Sequence, residues 1–198
     1  HPLLLASGSP RRREMLARVG LPLIVRPVDV DECVGPEETP PDYLRRIAAA
    51  KYEAAVEMAR GQRCGAWLVA DTVVSLDGAI EDKPDGVEQA RATLRRLSGR
   101  THRVTTRFIL GWGDRGEHDA ESVTTEVRFA DLDGATIEAY LRTQEGVDKA
   151  GAYGIQGIGA MLVKSVIGSY SNVVGLPLVE VISALTRHRL LPTSLPWG

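Results

Sequence analysis

"LLLASGSPRRREML", running from Leu3 to Leu16, writes a strand, a turn and the start of a helix in one stretch. Leu3, Leu4, Leu5 and Ala6 form a short continuous apolar run, the pattern of a strand buried on both faces. Ser7, Gly8 and Ser9 break it. Ser9 can cap a helix whose first residue is Pro10, where a missing N–H costs nothing, and Met15, Leu16 and Val19 supply an apolar stripe before Gly20 ends the helix. Arg11, Arg12 and Arg13 are the oddity. Positive charge in a first turn opposes the helix macrodipole, so on helix grounds alone removing Arg12 should leave stability unchanged or slightly raised. An anion reverses that sign, because the N–H groups of a strand–turn–helix junction and one or two guanidinium forks make a phosphate cradle. The competing reading is a solvated basic face behind an ordinary Ser-Pro helix start.

Composition narrows the classes. At 198 residues the chain can bury a core as a single domain, or as one domain with two lobes. Lys and Arg number 24 against 26 Asp and Glu, a net charge of −2 that argues against a general nucleic-acid binder while leaving room for a local basic pocket. Cys33 and Cys64 have neither metal-ligand spacing nor a disulfide framework, and no apolar stretch is long enough to span a bilayer, so a reducing cytoplasm is the expected location. His1 reads as the remnant of a truncated start and carries no weight.

Periodicity organises the rest into alternating elements. "LPLIVRPVDVDE" (21–32) reads as a strand ending in Asp29, Asp31 and Glu32, and "PPDYLRRIAAAKYEAAVEMARG" (40–61) as a helix whose stripe is Leu44, Ile47, Ala48, Ala55 and Met58. Lys51 falls on that stripe, three residues past Ala48 and four before Ala55. It either snorkels to the rim, the commoner outcome, or reaches a polar site. A helix over 85–99 has Asp85 as N-cap with Glu88 three residues on and Gly99 at its end. Strands over 102–112 and 120–132 flank the turn-rich "GDRGEH", Asp133 caps a further helix, a glycine-rich loop feeds a strand near residue 163, and a helix beginning near Pro177 precedes an irregular tail, "LLPTSLPWG". Strands and helices mix without a strict βαβ rhythm, which implies an α/β fold on a sheet with both parallel and antiparallel pairs.

One hairpin brings distant charges together. "AWLVADTVVSLDGAIEDKP" (66–84) is a buried strand followed by Asp77-Gly78, the strongest kind of short hairpin signal. A two-residue turn there pairs Leu76 with Ala79, and the same register sets Lys83 opposite Thr72 and beside Asp71. Asp71 closes the apolar run Trp67–Ala70, at a strand end where α/β sites usually lie. A structural salt bridge on the hairpin rim is the alternative.

Four stretches in order, "LASGSPRRREML", "VADTVVSLDG" with "KP" after it, "LSGRTHRV", and "DKAGAYGIQG" through "GSYSNVVGLPL", resemble the Maf family of nucleotide pyrophosphatases. The resemblance spreads over nearly the whole chain. It implies a mixed twisted sheet in an elongated, two-lobed α/β fold like that of the inosine triphosphate pyrophosphatases, with residues 1–198 as a single domain around a central cleft. It implies hydrolysis of a nucleoside triphosphate between the α and β phosphates, with a divalent cation, Mg²⁺ or Mn²⁺. By position, the resemblance makes Asp71 the general base, sets Ser7, Arg11, Arg12, Lys51 and Lys83 toward the phosphates, and gives Glu32 and Asp71 to the metal. The triple arginine then faces a triphosphate.

Branches of the family differ at three places, here Arg11, Thr72 and Gln156, a combination like that of the branch acting on dTTP and UTP. The branch acting on 7-methyl-GTP carries Trp where this chain has Arg11. A glutamine amide can accept from N3–H and donate to O4 of uracil or thymine, and, rotated by half a turn, suits cytosine. Glu81 departs from the family's usual apolar residue and Arg107 from a common small one. The expected partner is the nucleotide, with no stable nucleic-acid partner, no membrane, and a homodimer left open. The alternatives are a pyrophosphatase for 7-methyl-GTP or other modified nucleotides, and a nucleotide-binding regulator of septum formation in cell division.

Overall fold

The leucine run forms β1 (Leu3–Leu5), buried throughout as its sequence requires, in a computed structural model that describes residues 1–60, 62–113 and 116–191. It pairs in parallel with β2 (Leu23–Val25) on one side and with β3 (Ala66–Leu76) on the other, so that Leu4 lies between Ile24 and Trp67. Helix α1 (Pro10–Arg18) joins β1 to β2. Ser9 Oγ accepts from the Arg12 N–H at 3.5 Å, Pro10 occupies the first turn, and Gly20 takes a φ of 79° just past the end. Helix α2 (Pro40–Ala59) joins β2 to β3 and opens at Thr39, whose Oγ1 accepts from the Asp42 N–H. Its buried face holds Leu44, Ile47, Ala48 and Ala55 as expected, and Lys51 with them, while Met58 is half-buried.

Asp77 and Gly78 have φ of 52° and 85°, the two positive values that a type I′ turn requires, and the pairs Ser75–Ile80 and Leu76–Ala79 set the expected register with β4 (Ala79–Ile80). One more bond, Glu81 N–H to Val74 O at 2.8 Å, continues it. The described β4 ladder ends at Ile80, short of the expected pairing of Lys83 with Thr72. Past it the Lys83 N–H donates to the Asp82 carboxylate at 2.7 Å, and Lys83 is exposed.

Helix α3 (Val87–Leu97) is capped by Gly86 rather than by Asp85, whose N–H instead donates to Gln89 Oε1. Strands β5 (Thr101–Trp112) and β6 (Glu117–Phe129) follow, the second starting before the expected Ala120; Asp114 and Arg115 of the turn between them lie outside the described residues. Asp133 Oδ1 accepts from the Thr136 N–H at 2.7 Å and caps α4 (Gly134–Leu141). Two short 3-10 turns, Ala150–Ala152 and Ile158–Leu162, flank the glycine-rich loop and lead to β7 (Val163–Ile167). A five-residue helix not anticipated from the sequence, α5 (Tyr170–Val174), precedes α6 (Leu178–Arg187). Of the expected tail, residues 192–198 lie outside the described residues.

The strands run β2-β1-β3-β5-β6-β7 across the sheet with β4 on β3, parallel at β1 and antiparallel at β3–β4 and β6–β7, the mixed sheet that the element order implied. The chain divides into two compact units. The first comprises His1–Asp71, Thr106–Ser122 and Gly175–Gly198, with a core that includes Leu4, Ala48, Trp67, Val69 and Ile109. The second comprises Thr72–Thr105 and Val123–Val174, with a core of Leu94, Leu97, Phe129, Ile137, Tyr140 and Leu162 among others. Cys33 and Cys64 are free thiols, and no helix among the described residues is long and apolar enough to cross a membrane.

Glu81 has a structural answer. Its buried carboxylate receives Arg96 Nε at 3.0 Å and Nη2 at 2.5 Å, a bidentate pair that satisfies the charge in place of an apolar side chain. Arg107 Nη1 donates to Ser122 Oγ at 3.1 Å.

His102 is 1% exposed in the second unit, with Nε2 2.9 Å from Tyr153 Oη and its ring edge-to-face with Phe129. Burial pushes the imidazole pKa from 6.5 down to about 4. In that window the unfolded chain takes up a proton that the folded chain refuses, so stability is full above pH 6.5 and falls as pH drops toward 4, by up to about 3 kcal/mol. Urea midpoints of the wild type and His102→Gln at pH 7.5, 6 and 5 check this. The wild type is expected to lose more on acidification than the variant; parallel acid limbs would show that His102 does not titrate with folding.

Candidate active site

Asp71 closes the buried part of β3 and is itself only 8% exposed. Lys51, on the inward stripe of α2, does not snorkel. Its Nζ donates to Asp71 Oδ1 at 2.6 Å and pairs with Glu32 Oε1 at 2.6 Å, so a single ammonium bridges two carboxylates. Lys51 and Asp71 are nearly enclosed, with side chains 9% and 11% exposed, while Glu32 reaches in from the partly exposed segment before α2. A buried ammonium is tolerated only where such partners replace its water, and here the helix stripe, the strand end and that segment all supply them.

Arg12 is the second buried cation. Its Nε donates to Gly175 O at 2.8 Å and its Nη1 to Ala70 O at 2.7 Å and Ser7 Oγ at 3.1 Å. The Ser7 hydroxyl also accepts from the Ser9 N–H at 3.3 Å. One guanidinium thereby ties the turn after β1 to the residue before Asp71 and to the segment leading into α6. Burial lowers the Arg12 pKa, the carboxylates of Asp71 and Glu32 pull it back up, and Arg11 lowers it. The dipole penalty at the start of α1 is thus outweighed by three bonds in a dry environment, which reverses the expectation that Arg12 is dispensable for stability. Arg11 is partly buried and Arg13 is exposed.

Ser7, Arg12, Glu32, Lys51 and Asp71 are therefore gathered within the first unit. Thr72, half-buried, and the exposed Lys83 and Gln156 belong to the second. The carbonyls of Ala70 and Gly175 were missed by sequence reasoning, since a main-chain acceptor has no residue signature; the positive-φ Gly175, at 128°, was the one available hint.

Among the described residues no group of three or more His, Cys, Asp or Glu side chains forms a protein-only metal site. The Glu32–Asp71 pair fits another mode. Mg²⁺ is commonly held by one or two carboxylates while water and phosphate oxygens complete its shell, and these two carboxylates already converge on one cation, the Lys51 ammonium.

The Maf-like protein family model matches residues 2–188. The chain belongs to the Maf family. Relatives in that family named dTTP/UTP pyrophosphatase include those of Anaeromyxobacter dehalogenans, 48% identical over 198 residues, covering 98% of this chain and 96% of the relative; Methylococcus capsulatus, 47% over 192 residues, covering 97% and 93%; and Nitratidesulfovibrio vulgaris, 43% over 197 residues, covering 99% and 92%. Among solved structures, the Staphylococcus aureus Ham1 protein is similar with a TM-score of 0.55 over 96% of this chain and all of that one, at 14% identity, a likeness of fold. The family resemblance in the four motifs therefore holds along the Maf chain as a whole.

Removing Arg12 from this Maf protein removes its bonds to the carbonyls of Ala70 and Gly175 and to the Ser7 hydroxyl. Arg12→Ala is expected to cost about 2–4 kcal/mol in chemical denaturation, and Arg12→Lys to recover less than half of it, because an ammonium does not reproduce the guanidinium fork. Unchanged stability in both would return Arg12 to a solvated basic face.

Proposed function

We propose that the protein is a nucleoside triphosphate pyrophosphatase that hydrolyses dTTP and UTP to the monophosphate and pyrophosphate, in housekeeping of the nucleotide pool. The observation that carries the reading is the buried Lys51 ammonium between Asp71 and Glu32 at the end of β3. The names of relatives 43–48% identical over nearly the whole chain support it.

In this reading Asp71 orients the attacking water and accepts its proton. Lys51 engages Oδ1 and so fixes the direction of the carboxylate, which assigns Oδ2 to the water. Ser7, Arg11, Arg12, Lys51 and Lys83 face the phosphates, where donors placed in advance stabilise the charge that develops on transfer. Arg12 contributes in part by holding Ser7 in place. Glu32 and Asp71 hold the divalent cation, Mg²⁺ or Mn²⁺, which when bound neutralises phosphate charge and acidifies water. Arg11, Thr72 and Gln156 select the base, with the Gln156 amide accepting from N3–H and donating to O4. Two cysteines held in no disulfide suit a reducing cytoplasm.

Pyrophosphate release with Mg²⁺ from dTTP, UTP, CTP, GTP and 7-methyl-GTP tests the reading, with Asp71→Asn beside the wild type. Expected are preference for dTTP and UTP, a monophosphate and pyrophosphate as products, and at least about a hundredfold lower kcat in the folded variant. Preference for 7-methyl-GTP would move the protein to the other branch. Binding without turnover would make it a nucleotide-dependent regulator, and near-normal turnover by Asp71→Asn would take Asp71 out of the mechanism.

A further inference from the structure

Gln156 sits on a loop whose two ends are held by one pair of side chains. Glu145, in the turn after α4, accepts from the Ile158 N–H through Oε2 at 2.7 Å and from the Gly159 N–H through Oε1 at 3.0 Å. Tyr140, on α4, donates its hydroxyl to Glu145 Oε1 at 3.3 Å and accepts from the Gly154 N–H at 3.0 Å. The far end of the loop is thus bound to the carboxylate and the near end to the phenol, and Ile155, Gln156 and Gly157 span the gap between them. Every one of these groups lies in the second unit.

The anchor is stiff. Tyr140 is buried in the core of that unit, and burial holds its phenol above the ordinary tyrosine pKa, so it stays a neutral hydroxyl able to donate and accept at once. Lys149 Nζ caps the Glu145 main-chain carbonyl, and Tyr153, just before the loop, is fixed by His102. The loop also packs against the carboxylate as closely as glycine permits. A Cβ on Gly157 would stand 2.4 Å from Glu145 Oε2, and one on Gly159 would stand 2.4 Å from Gly154 O.

The chemistry of the amide shows what such rigidity can do. A glutamine amide presents an acceptor and a donor side by side, and turning it over exchanges the pattern that complements uracil or thymine for the one that complements cytosine. The two arrangements are nearly equal in intrinsic energy, so discrimination depends on how firmly and at what distance and angle the amide is presented to the base, which a fixed main chain beneath the side chain sets. Bonds from two N–H groups to a carboxylate are charge-assisted and short, and are suited to that task.

We propose that Glu145, acting with Tyr140 through the main chain of Gly154–Gly159, is the positioning residue that sets which pyrimidine edge Gln156 reads. This rests on the reading that Gln156 faces the base. The measurement is the ratio of kcat/KM for dTTP to that for CTP, with circular dichroism melts for each protein. In Glu145→Ala the ratio is expected to fall about tenfold or more, chiefly through a higher KM for dTTP, with kcat at saturation changing less. Glu145→Gln, which keeps one acceptor, should fall between, and Tyr140→Phe should shift the ratio the same way by less; if Glu145→Ala does not fold, these two carry the test. Gln156→Ala should lose the ratio by itself, and adding Glu145→Ala to it should change the ratio no further. A lower melting temperature with the ratio intact would overturn the inference by making Glu145 a structural cap only, and so would additive losses in the double variant. A wild type that does not discriminate, or a Gln156→Ala protein that still does, would overturn the reading of Gln156 and the inference with it.

Discussion

A lysine placed on the inward stripe of a helix has to be neutralised where it stands, and that constraint organises the first unit. The Lys51 ammonium binds Asp71 at the end of β3 and Glu32 before α2. Neither carboxylate is held near the other by sequence proximity. They meet because the α2 stripe carries Lys51 down against β3, and because β3 runs beside β1 in the register that brings Trp67 opposite Leu4. A chain that put leucine at position 51 would satisfy helix packing better and would take away the ammonium on which the two carboxylates converge.

Arg12 extends the same logic to the main chain. Its guanidinium holds the carbonyls of Ala70 and Gly175 and the hydroxyl of Ser7, while its charge is favoured by Asp71 and Glu32. Two cations, Arg12 and Lys51, are set against the carboxylates of Asp71 and Glu32, and Arg11 stands near enough to press on the Arg12 charge. A triphosphate brought to it gains from further positive charge, which Arg11, Lys83 and a divalent cation would add in the proposed reaction.

The parts of this arrangement that depend on local chemistry were readable from the sequence. The apolar run of β1, the Ser9-Pro10 cap, the Asp77-Gly78 turn with its register and the Asp133 cap each rest on a few adjacent residues, and each stands where expected. Lys51 was visible as an anomaly in a helical stripe, but its fate depended on which carboxylates the fold would deliver, and the commoner rim position lost. Arg12 was misjudged for stability because its partners are carbonyls from distant segments. The described hairpin ladder ends at Ile80 while the Lys83 N–H goes to Asp82, and Asp85 gave its cap position to Gly86. The Tyr140–Glu145 anchor, likewise, joins side chains and main-chain groups that no short motif links.

Lys51→Met tests most directly whether the Lys51 ammonium holds the Asp71 and Glu32 carboxylates in place, since methionine keeps most of the bulk and removes the charge. The measurement is urea unfolding and dTTP turnover of this variant beside the wild type. With the ammonium between the two carboxylates gone, the variant is expected to lose about 2–3 kcal/mol of stability and to turn over dTTP at least about a hundredfold more slowly while still folded in water. Stability and turnover both equal to those of the wild type would contradict the account.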